Sequence, residues 1–216
     1  MAGIVQSTST ISVGNTNLAF TGNNTVGNFL IIAVSALTTG KTFTVSDTAG
    51  NVYKSLSAIT DTPNSVESQI FFVPSCLAGA NTVTFTPGAA VATVLAIHEF
   101  SGVSGIGLRA NGIGTSPSIS SAASSCSSGF SFGFISGTST GVINTITPGT
   151  GWTQAEANVA APTFLTEWRI DGGLLAATAT VATAKGAVYS WTAELAALGH
   201  SQSQLESFGF TQWTGW

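Results

Sequence analysis

The sequence predicts an all-β protein built from antiparallel strands. Apolar and polar residues alternate with a period of two, and short segments of this kind are separated by Gly, Pro, Asn and Ser. These segments recur at the spacing typical of β-sandwiches and barrels, and 216 residues suit one large β-domain. No repeat of roughly 20 to 50 residues is found, which disfavours solenoids and propellers.

Strand candidates follow one another along the whole chain. Two of them, 29–37 (FLIIAVSAL) and 91–100 (VATVLAIHEF), are apolar on both faces, which predicts mid-sheet strands covered on each side. Residues 41–58 predict a hairpin around the turn DTAGN, and 130–137 with 141–147 predict a second antiparallel pair. Further strands are predicted at 68–74, 81–87, 151–159, 163–170, 174–182 and 186–195. Residues 192–199 fit a helical turn or a strand end equally well.

The remaining strands alternate on one face only. Within 163–170, Phe164, Trp168 and Ile170 share a face, and the opposite face carries Leu165, Glu167 and Arg169. This pattern predicts two antiparallel sheets packed face to face as a β-sandwich over residues 1–199. We expect its core to include Phe29, Ile31, Val34, Leu95, Ile97 and Phe100.

Composition excludes several classes of function. Charged residues make up 6% of the chain, against about 25% in an average soluble protein, and the net charge is −4 with five Lys and Arg. No basic stripe is available to bind nucleic acid, and the longest apolar runs are shorter than the ~20 residues of a membrane-spanning helix. The N-terminus lacks the charged and apolar regions of a secretion signal.

Motif matches for catalysis or ligand binding are weak. The sequence GTSTG (137–141) places Ser139 in a nucleophile pattern, but that pattern needs a strand, a sharp turn and a helix, and only His200 follows as a base. GIGLRA (105–110) lacks a βαβ context, and NNT (23–25) is a glycosylation sequon that is common by chance. We therefore predict no enzyme activity and no cofactor.

The metal and acid candidates also favour structural roles. Asp47 and Asn51 lie in a turn where such side chains bond their own backbone, although a calcium loop built from carbonyls would leave no sequence signal. His98 and Glu99 point to opposite faces of one strand, so a structural hydrogen bond is expected for Glu99. No acidic cluster occurs among Asp61, Glu67, Glu99, Glu156, Glu167, Asp171 and Glu194. Cys76 and Cys126 fit no metal spacing, and two buried free thiols are favoured over a disulfide.

Four segments in order resemble a jelly-roll-like module of bacterial extracellular proteins and phage virion proteins. They are GNFLIIAVSA (27–36), VSDTAGNVY (45–53), AGANTVTFT (78–86) and IHEFSGV (97–103). The resemblance covers the first half of the chain well and the second half only in strand rhythm, and it implies a fold rather than a site. Among free-standing members, the chain is most similar to phage capsid decoration (cement) proteins.

This resemblance implies a non-enzymatic virion protein, made in the host cytoplasm, that coats the capsid exterior. Its expected partners are the major capsid protein and further copies of itself, with a trimer favoured. Two alternatives stay open: a glycan-binding module that uses Trp152, Trp213 and Trp216, and a tail or fibre receptor-binding protein. Trp168 and Trp191 share strand faces with other aromatic residues, so core positions are expected for both.

Residues 200–216 are predicted to form a C-terminal arm. It carries Phe208, Phe210, Trp213 and Trp216 on a stem rich in Ser, Gln and Gly. Each such ring can bury about 150–250 Å², so the four together are too apolar for a free solvated tail. We expect these four residues to contact a neighbouring subunit or the capsid lattice, with capping of the chain's own β-domain as the alternative.

Overall fold

The computed structural model describes residues 3–126, 130–170, 173–184 and 187–200, and for Cys126, Gly173 and His200 it describes the backbone alone. Residues 3–101 form β1 (Gly3–Val13), β2 (Thr16–Ala19), β3 (Phe29–Ala36), β4 (Thr44–Asp47), β5 (Lys54–Ser55), β6 (Ile59–Asp61), β7 (Val66–Val73), β8 (Thr82–Thr86) and β9 (Ala92–Ser101), with a 3-10 turn at Thr62–Asn64. The second half forms β10 (Val103–Gly114), β11 (Ser118–Ser120), β12 (Ser124–Cys126), β13 (Phe130–Ser139), β14 (Ile143–Pro148), β15 (Thr153–Asn158), β16 (Thr163–Arg169), β17 (Gly173–Leu175), β18 (Thr178–Thr183) and β19 (Tyr189–His200).

Every strand pair among the described residues is antiparallel, and the all-β prediction is confirmed. Sheet A has the order β1-β9-β3-β7-β5, with β6 also paired to β7, and sheet B has the order β2-β8-β4. Sheet C has the order β10-β19-β13-β16-β15, sheet D has the order β11-β18-β14, and β12 and β17 form a separate ribbon. Where one pair of sheets was expected, the described residues form four sheets and a two-stranded ribbon.

The strand order of the first half recurs in the second. Sheet A (β1-β9-β3-β7-β5) corresponds strand by strand to sheet C (β10-β19-β13-β16-β15). Sheet B (β2-β8-β4) corresponds in the same way to sheet D (β11-β18-β14). A single residue, Gly102, connects the halves, and its φ of 69° lies in the left-handed region that favours glycine. The repeat unit is about one hundred residues long, which a search for short periods does not detect.

Four layers of sheet are stacked in the order B, A, C, D. Leu30, Ile32, Leu95 and Ile97 belong to the core between sheets A and B. Phe29, Ile31, Phe100, Phe130 and Phe132 belong to the core between sheets A and C. Strands β3 and β9 thus have a core on each face, which explains why their sequences are apolar throughout. All six residues predicted for the core are fully buried.

An aromatic stack occurs at the corresponding place in each half. Phe29 stacks on Phe72 with ring centroids 5.7 Å apart and an interplanar angle of 17°. Phe130 stacks on Trp168 with centroids 5.8 Å apart and an angle of 14°. Phe72 pairs with Ile31, two residues after Phe29 on β3. Trp168 likewise pairs with Phe132, two residues after Phe130 on β13. The two halves therefore share side-chain packing as well as strand order.

The start of β1, the end of β19 and the connection between the halves lie at one end of the stack, which we call the linker end. Gly3 pairs with Ser101 on β9, and Val103 pairs with the backbone of His200 on β19. Because Gly102 lies between these two pairs, the start of β1, the link and the end of β19 are neighbours. The predicted arm beyond His200 would leave the molecule here.

Two predicted strand pairs are wrong. Strands β4 and β5 of the expected hairpin at 41–58 belong to different sheets, since β4 pairs with β8 and β5 with β7. Strand β13 pairs with β16 and β19, whereas β14 pairs with β18. In both places the connecting segment crosses from one sheet to the sheet packed against it. A short turn sequence between two strands was read as a hairpin, but the same sequence also serves such a crossing.

Candidate functional site

Glu99 is held in a cage of donors that ties a loop to sheet A. Its carboxylate accepts hydrogen bonds from the Gln6 side-chain amide, Asn24 Nδ2 at 2.9 Å, the Thr25 backbone N–H at 2.8 Å and Asn28 Nδ2 at 2.6 Å. Burial opposes ionisation, yet these bonds, led by that from Gln6, hold the pKa of Glu99 below its ordinary value. The expected structural role of Glu99 is supported, because the bonds from residues 24–28 fix that loop against β9 and the bond from Gln6 joins β1 to β9.

Asp47, the last residue of β4, also has several hydrogen-bond partners. It accepts hydrogen bonds from Asn51 Nδ2 at 2.7 Å, the Tyr53 hydroxyl at 2.7 Å and Asn81 Nδ2 at 3.0 Å. Although burial acts in the opposite direction, the bonds from Tyr53, Asn51 and Asn81 lower the pKa of Asp47. Donors rather than further oxygen ligands surround this carboxylate, as expected for turn chemistry. Within the described part of the chain, no three His, Cys, Asp or Glu residues are grouped as metal ligands.

The core between sheets A and C contains the imidazole of His98. Nε2 lies 2.9 Å from Thr166 Oγ1 on β16, and the ring makes an edge contact with Phe132 at a centroid distance of 5.0 Å. Burial lowers the pKa of His98 to about 3, so the ring is neutral at physiological pH. A neutral, fully buried imidazole joins the two halves here and has no access to a substrate in solvent.

Further polar contacts connect the halves at the two sides of this core. Ser7 Oγ and Ser9 Oγ on β1 donate to Glu156 on β15 at 2.6 and 2.7 Å. On the opposite side, Arg109 Nη2 donates to the Ser57 carbonyl at 3.1 Å. Ser7 pairs with His98 on β9, and Arg109 pairs with Ala196 on β19. Because His98 and Ala196 occupy corresponding positions of β9 and β19, Ser7 and Arg109 correspond as well. These contacts fix the orientation of one half on the other.

Two glutamates of the second half are buried with few partners. Glu194 lies 2.9 Å from Arg109 Nη2, and burial, partly offset by Arg109, raises the pKa of Glu194 to about 7. Glu167 accepts a bond from the Thr178 backbone N–H at 3.0 Å, and burial, partly offset by backbone hydrogen bonds from Thr178 and Gly149, raises the pKa of Glu167 to about 8. The two residues lie on opposite faces of sheet C, with Glu194 toward sheet A and Glu167 toward sheet D. They therefore do not form a carboxylate pair.

The structure also separates the two residues of the weak nucleophile motif. Ser139 ends β13, where it pairs with Tyr189, and its hydroxyl accepts a bond from the Gly141 N–H at 3.2 Å. The backbone of His200 lies at the far end of β19, eleven residues beyond Tyr189, which is roughly 36 Å along a strand. In the described chain β14, rather than a helix, follows Ser139, so the arrangement does not support Ser139 and His200 as nucleophile and base.

The tryptophan candidates divide into core residues and residues outside the described chain. Trp191 is buried and donates its indole N–H to the Ser116 carbonyl at 3.2 Å, as the core expectation requires. Trp152 is only 8% exposed, so its predicted role in stacking a glycan is wrong. Its position in the core formed with Leu175 and Leu195 accounts for this burial. Of the predicted arm, Phe208, Phe210, Trp213 and Trp216 lie outside the described residues.

Cys76 is a free thiol buried in the core between sheets A and B. Its Sγ donates to the Thr25 carbonyl at 3.1 Å, and burial, followed by the charge of Glu99, raises its pKa to about 11. A thiol with this pKa is protonated and unreactive at neutral pH. The side chain of Cys126 lies outside the described atoms, so its expected free state stays a prediction.

Aliphatic side chains are exposed among the loops of the linker end. Val52 is 82% exposed, Leu77 49% and Val26 67%. Val52 and Leu77 line one cleft of about 320 Å³, and the Leu77 N–H donates to Asn51 Oδ1 at 2.8 Å. Val26 belongs to this group because its neighbour Gly27 donates to the Cys76 carbonyl. The linker end therefore presents apolar side chains to solvent.

A polar groove of about 440 Å³ lies between the edge strands β14 and β15. Its walls are uncharged: Asn144, Thr145, Thr147, Gln154 and Asn158 provide amides and hydroxyls, with Ile146 and Ala157 between them. Such side chains both donate and accept hydrogen bonds, which suits a neutral ligand better than an ion. This groove was not anticipated from sequence, because its residues come from two strands without a shared motif.

Comparisons with known proteins leave the chain without an assigned family. No family model, curated protein or solved structure gives a significant match to it. Among the described residues, no helix is long and apolar enough to cross a membrane. The class that the fold defines is a multi-sheet antiparallel β-protein.

Proposed function

We propose that this chain is a non-enzymatic structural protein of a phage virion, which decorates and stabilises the outer capsid surface as an oligomer. The resemblance of residues 27–103 to jelly-roll-like modules of virion proteins supports the proposal. So does the use of Asp47, Glu99, Glu156 and His98 in fixing loops and joining halves. Polar side chains that make the fold rigid suit a protein that stabilises a capsid.

We further propose that each half is a jelly-roll-like β-sandwich. In the first half the outer strand β1 lies beside the last strand β9, which is followed by β3 and β7, and β2-β8-β4 packs against them. Neighbours in space are thus distant in sequence and alternate between two sheets, as in folded-over Greek keys. The second half has the same arrangement, so the proposal extends the resemblance to the full β-domain.

The observation that carries the capsid role is the group of exposed aliphatic side chains at the linker end, Val26, Val52 and Leu77. The predicted arm with Phe208, Phe210, Trp213 and Trp216, which lies outside the described residues, is the second apolar element of the proposal. Patches of this kind mark protein interaction sites when they are rimmed by polar residues. In our proposal the arm and this patch together contact the major capsid protein.

Co-sedimentation with capsids tests the proposal. Full-length protein is expected to sediment with purified capsids, whereas a chain truncated after Gly199 is expected to bind at least tenfold more weakly. Val26→Asn should weaken binding as well, and Val142→Asn, an equally exposed valine at the other end of the stack, serves as the matched control. Undiminished binding by the truncated chain would remove the arm from the proposal, and no binding by the full chain would overturn the capsid role.

A glycan-binding role is the second candidate, and the uncharged groove between β14 and β15 favours it. Amides such as those of Asn144, Gln154 and Asn158 can bond the hydroxyls of a neutral sugar. In this case the protein would serve as a surface lectin or as a tail or fibre protein that binds a receptor. A glycan array separates the roles: specific signals that Gln154→Ala abolishes would favour the lectin, and uniform silence would favour the capsid protein.

A further inference from the structure

Strand β1 is a long sheet edge without the usual protection. It lies at the outside of sheet A, spans 11 residues (GIVQSTSTISV), and contains no charge and no proline. Its inner side pairs with β9, and no strand of the described chain pairs with its outer side. Such an edge offers a row of backbone donors and acceptors to any extended strand.

The other edges of the larger sheets are protected in familiar ways. Strand β5 has two residues, and the six-residue β15 carries Glu156. The longest edge, β10, contains Arg109 and two register shifts, whereas β1 has one shift, near its start between Ile4 and Gln6. Charges, bulges and short length are the devices that prevent edge pairing. From Gln6 to Val13, β1 has none of them.

Side chains of β1 hold this edge in place. Ser7 and Ser9 donate to Glu156 on one face, and Gln6 bonds Glu99 and the Gly22 backbone on the other. A strand that is already ordered loses little conformational entropy when a partner adds to it. The edge is therefore prepared for strand addition rather than frayed.

We propose that β1 binds β1 of a second copy, antiparallel across a two-fold axis, so that the two A sheets form one continuous sheet. Full overlap places Thr8 opposite Thr8 of the second copy, because Thr8 is the midpoint of Gly3–Val13. Self-pairing then sets hydroxyls against hydroxyls and Val5, which is 49% exposed, against Ile11. In an isologous contact the same surface of both copies meets, so a strand without charges brings no like charges together. The same contact through β10 would bring Arg109 near Arg109 of the second copy.

This contact is independent of the capsid role and predicts a different assembly from the trimer favoured by sequence. The protein in solution is expected to have about twice the chain mass of 21.8 kDa. Thr8→Lys, which places two like charges together at the two-fold axis, should give a monomer or raise the dissociation constant at least tenfold. Thr180→Lys places the same charge on an exposed strand position of sheet D and should leave the dimer intact.

Sedimentation equilibrium and cross-linking test the proposal together. In oxidising buffer, Thr8→Cys is expected to form a disulfide-linked dimer, while Thr180→Cys is expected to stay unlinked. A wild-type monomer at all concentrations, or an oligomer that Thr8→Lys does not weaken, would overturn the β1 contact. Loss of the dimer on truncation after Gly199 would instead identify the C-terminal segment as the occupant, and would also overturn it. Capsid binding is measured separately, so either proposal can fail alone.

Discussion

The imidazole of His98 on β9 and the hydroxyl of Thr166 on β16 are 2.9 Å apart, and their hydrogen bond crosses the core between sheets A and C. His98 is fully buried, and no partner for its Nδ1 lies among the described residues. Aromatic rings of Phe100 and Phe132 surround it. Burial among these rings disfavours the charged imidazole, so the halves are joined here by its neutral form.

Acid is therefore expected to weaken the junction through His98. Its folded pKa of about 3 lies below the unfolded value of 6.5, so its contribution is complete above pH 6.5 and is lost as pH falls. At pH 4 the loss is about 3 kcal/mol. His98→Gln keeps a polar side chain near Thr166 without this titration. The free energy of unfolding, measured with urea, should fall less steeply from pH 7 to pH 4 for the variant than for the wild type. An equal fall in both proteins would contradict the prediction.

Alkaline pH should destabilise the second half through Glu167. Burial raises its pKa to about 8 from an ordinary value of 4.5, so its contribution is present below pH 4.5 and is lost as pH rises toward 8. Each unit in this window costs up to about 1.4 kcal/mol. Glu167→Gln should be close to neutral at pH 5 and stabilising at pH 8.5. Thermal unfolding at both values measures the difference, and an equal effect at the two pH values would refute it.

Removal of the Glu99 carboxylate should release the 24–28 loop. Glu99→Ala leaves the buried amide of Asn24 and the Thr25 N–H without their acceptor, at an expected cost of about 3–5 kcal/mol. The loss should appear as faster amide exchange in residues 24–28. Glu67→Ala provides a control on β7, two strands away in the same sheet, because the carboxylate of Glu67 makes a long contact of 3.5 Å with the Lys41 N–H. Similar exchange in both variants would argue against the cage.

Glu156 is expected to hold β1 on the second half. Glu156→Ala removes both charge-assisted bonds from Ser7 and Ser9, at a cost of about 2–4 kcal/mol. Glu156→Gln keeps an acceptor for one hydroxyl and should lose about half as much. Hydrogen exchange of β1 amides is the direct measurement. Unchanged protection of Ser7 through Thr10 in Glu156→Ala would show that β9 alone orders the strand.

Sequence patterns predicted the strands better than their pairing. The two-sided apolar runs of β3 and β9 identified the central strands correctly, because a strand that is buried on both faces has apolar residues at successive positions. Strand β1 was not predicted, since GIVQSTSTISV is hydroxyl-rich and its side chains are half-buried. The crossing connections after β4 and β13 were also missed. A turn sequence fixes a local change of direction but does not state which sheet receives the next strand.

The site predictions divided along the same line. Asp47 and Glu99 were expected to make structural bonds because their local context is a turn and an apolar strand, and both do so. The groove of β14 and β15 and the junction of His98 with Thr166 depend on residues far apart in sequence. Trp152 was misplaced for the same reason, since its cover comes from β17 and β19. Long-range contacts of this kind are set by topology.

Gly102 has an evolutionary consequence. A gene for one half, duplicated and fused in frame, accounts for the repeated strand order, the single-residue link and the matched stacks of Phe29 on Phe72 and Phe130 on Trp168. The ancestor would have been a homodimer whose subunits met through the phenylalanine-rich face now buried at the junction. Residues 3–101 expressed alone should then self-associate through this face, and a stable monomer would count against such an ancestry. Such a duplication would leave each copy free to diverge, and the corresponding positions Ser7 and Arg109 differ accordingly.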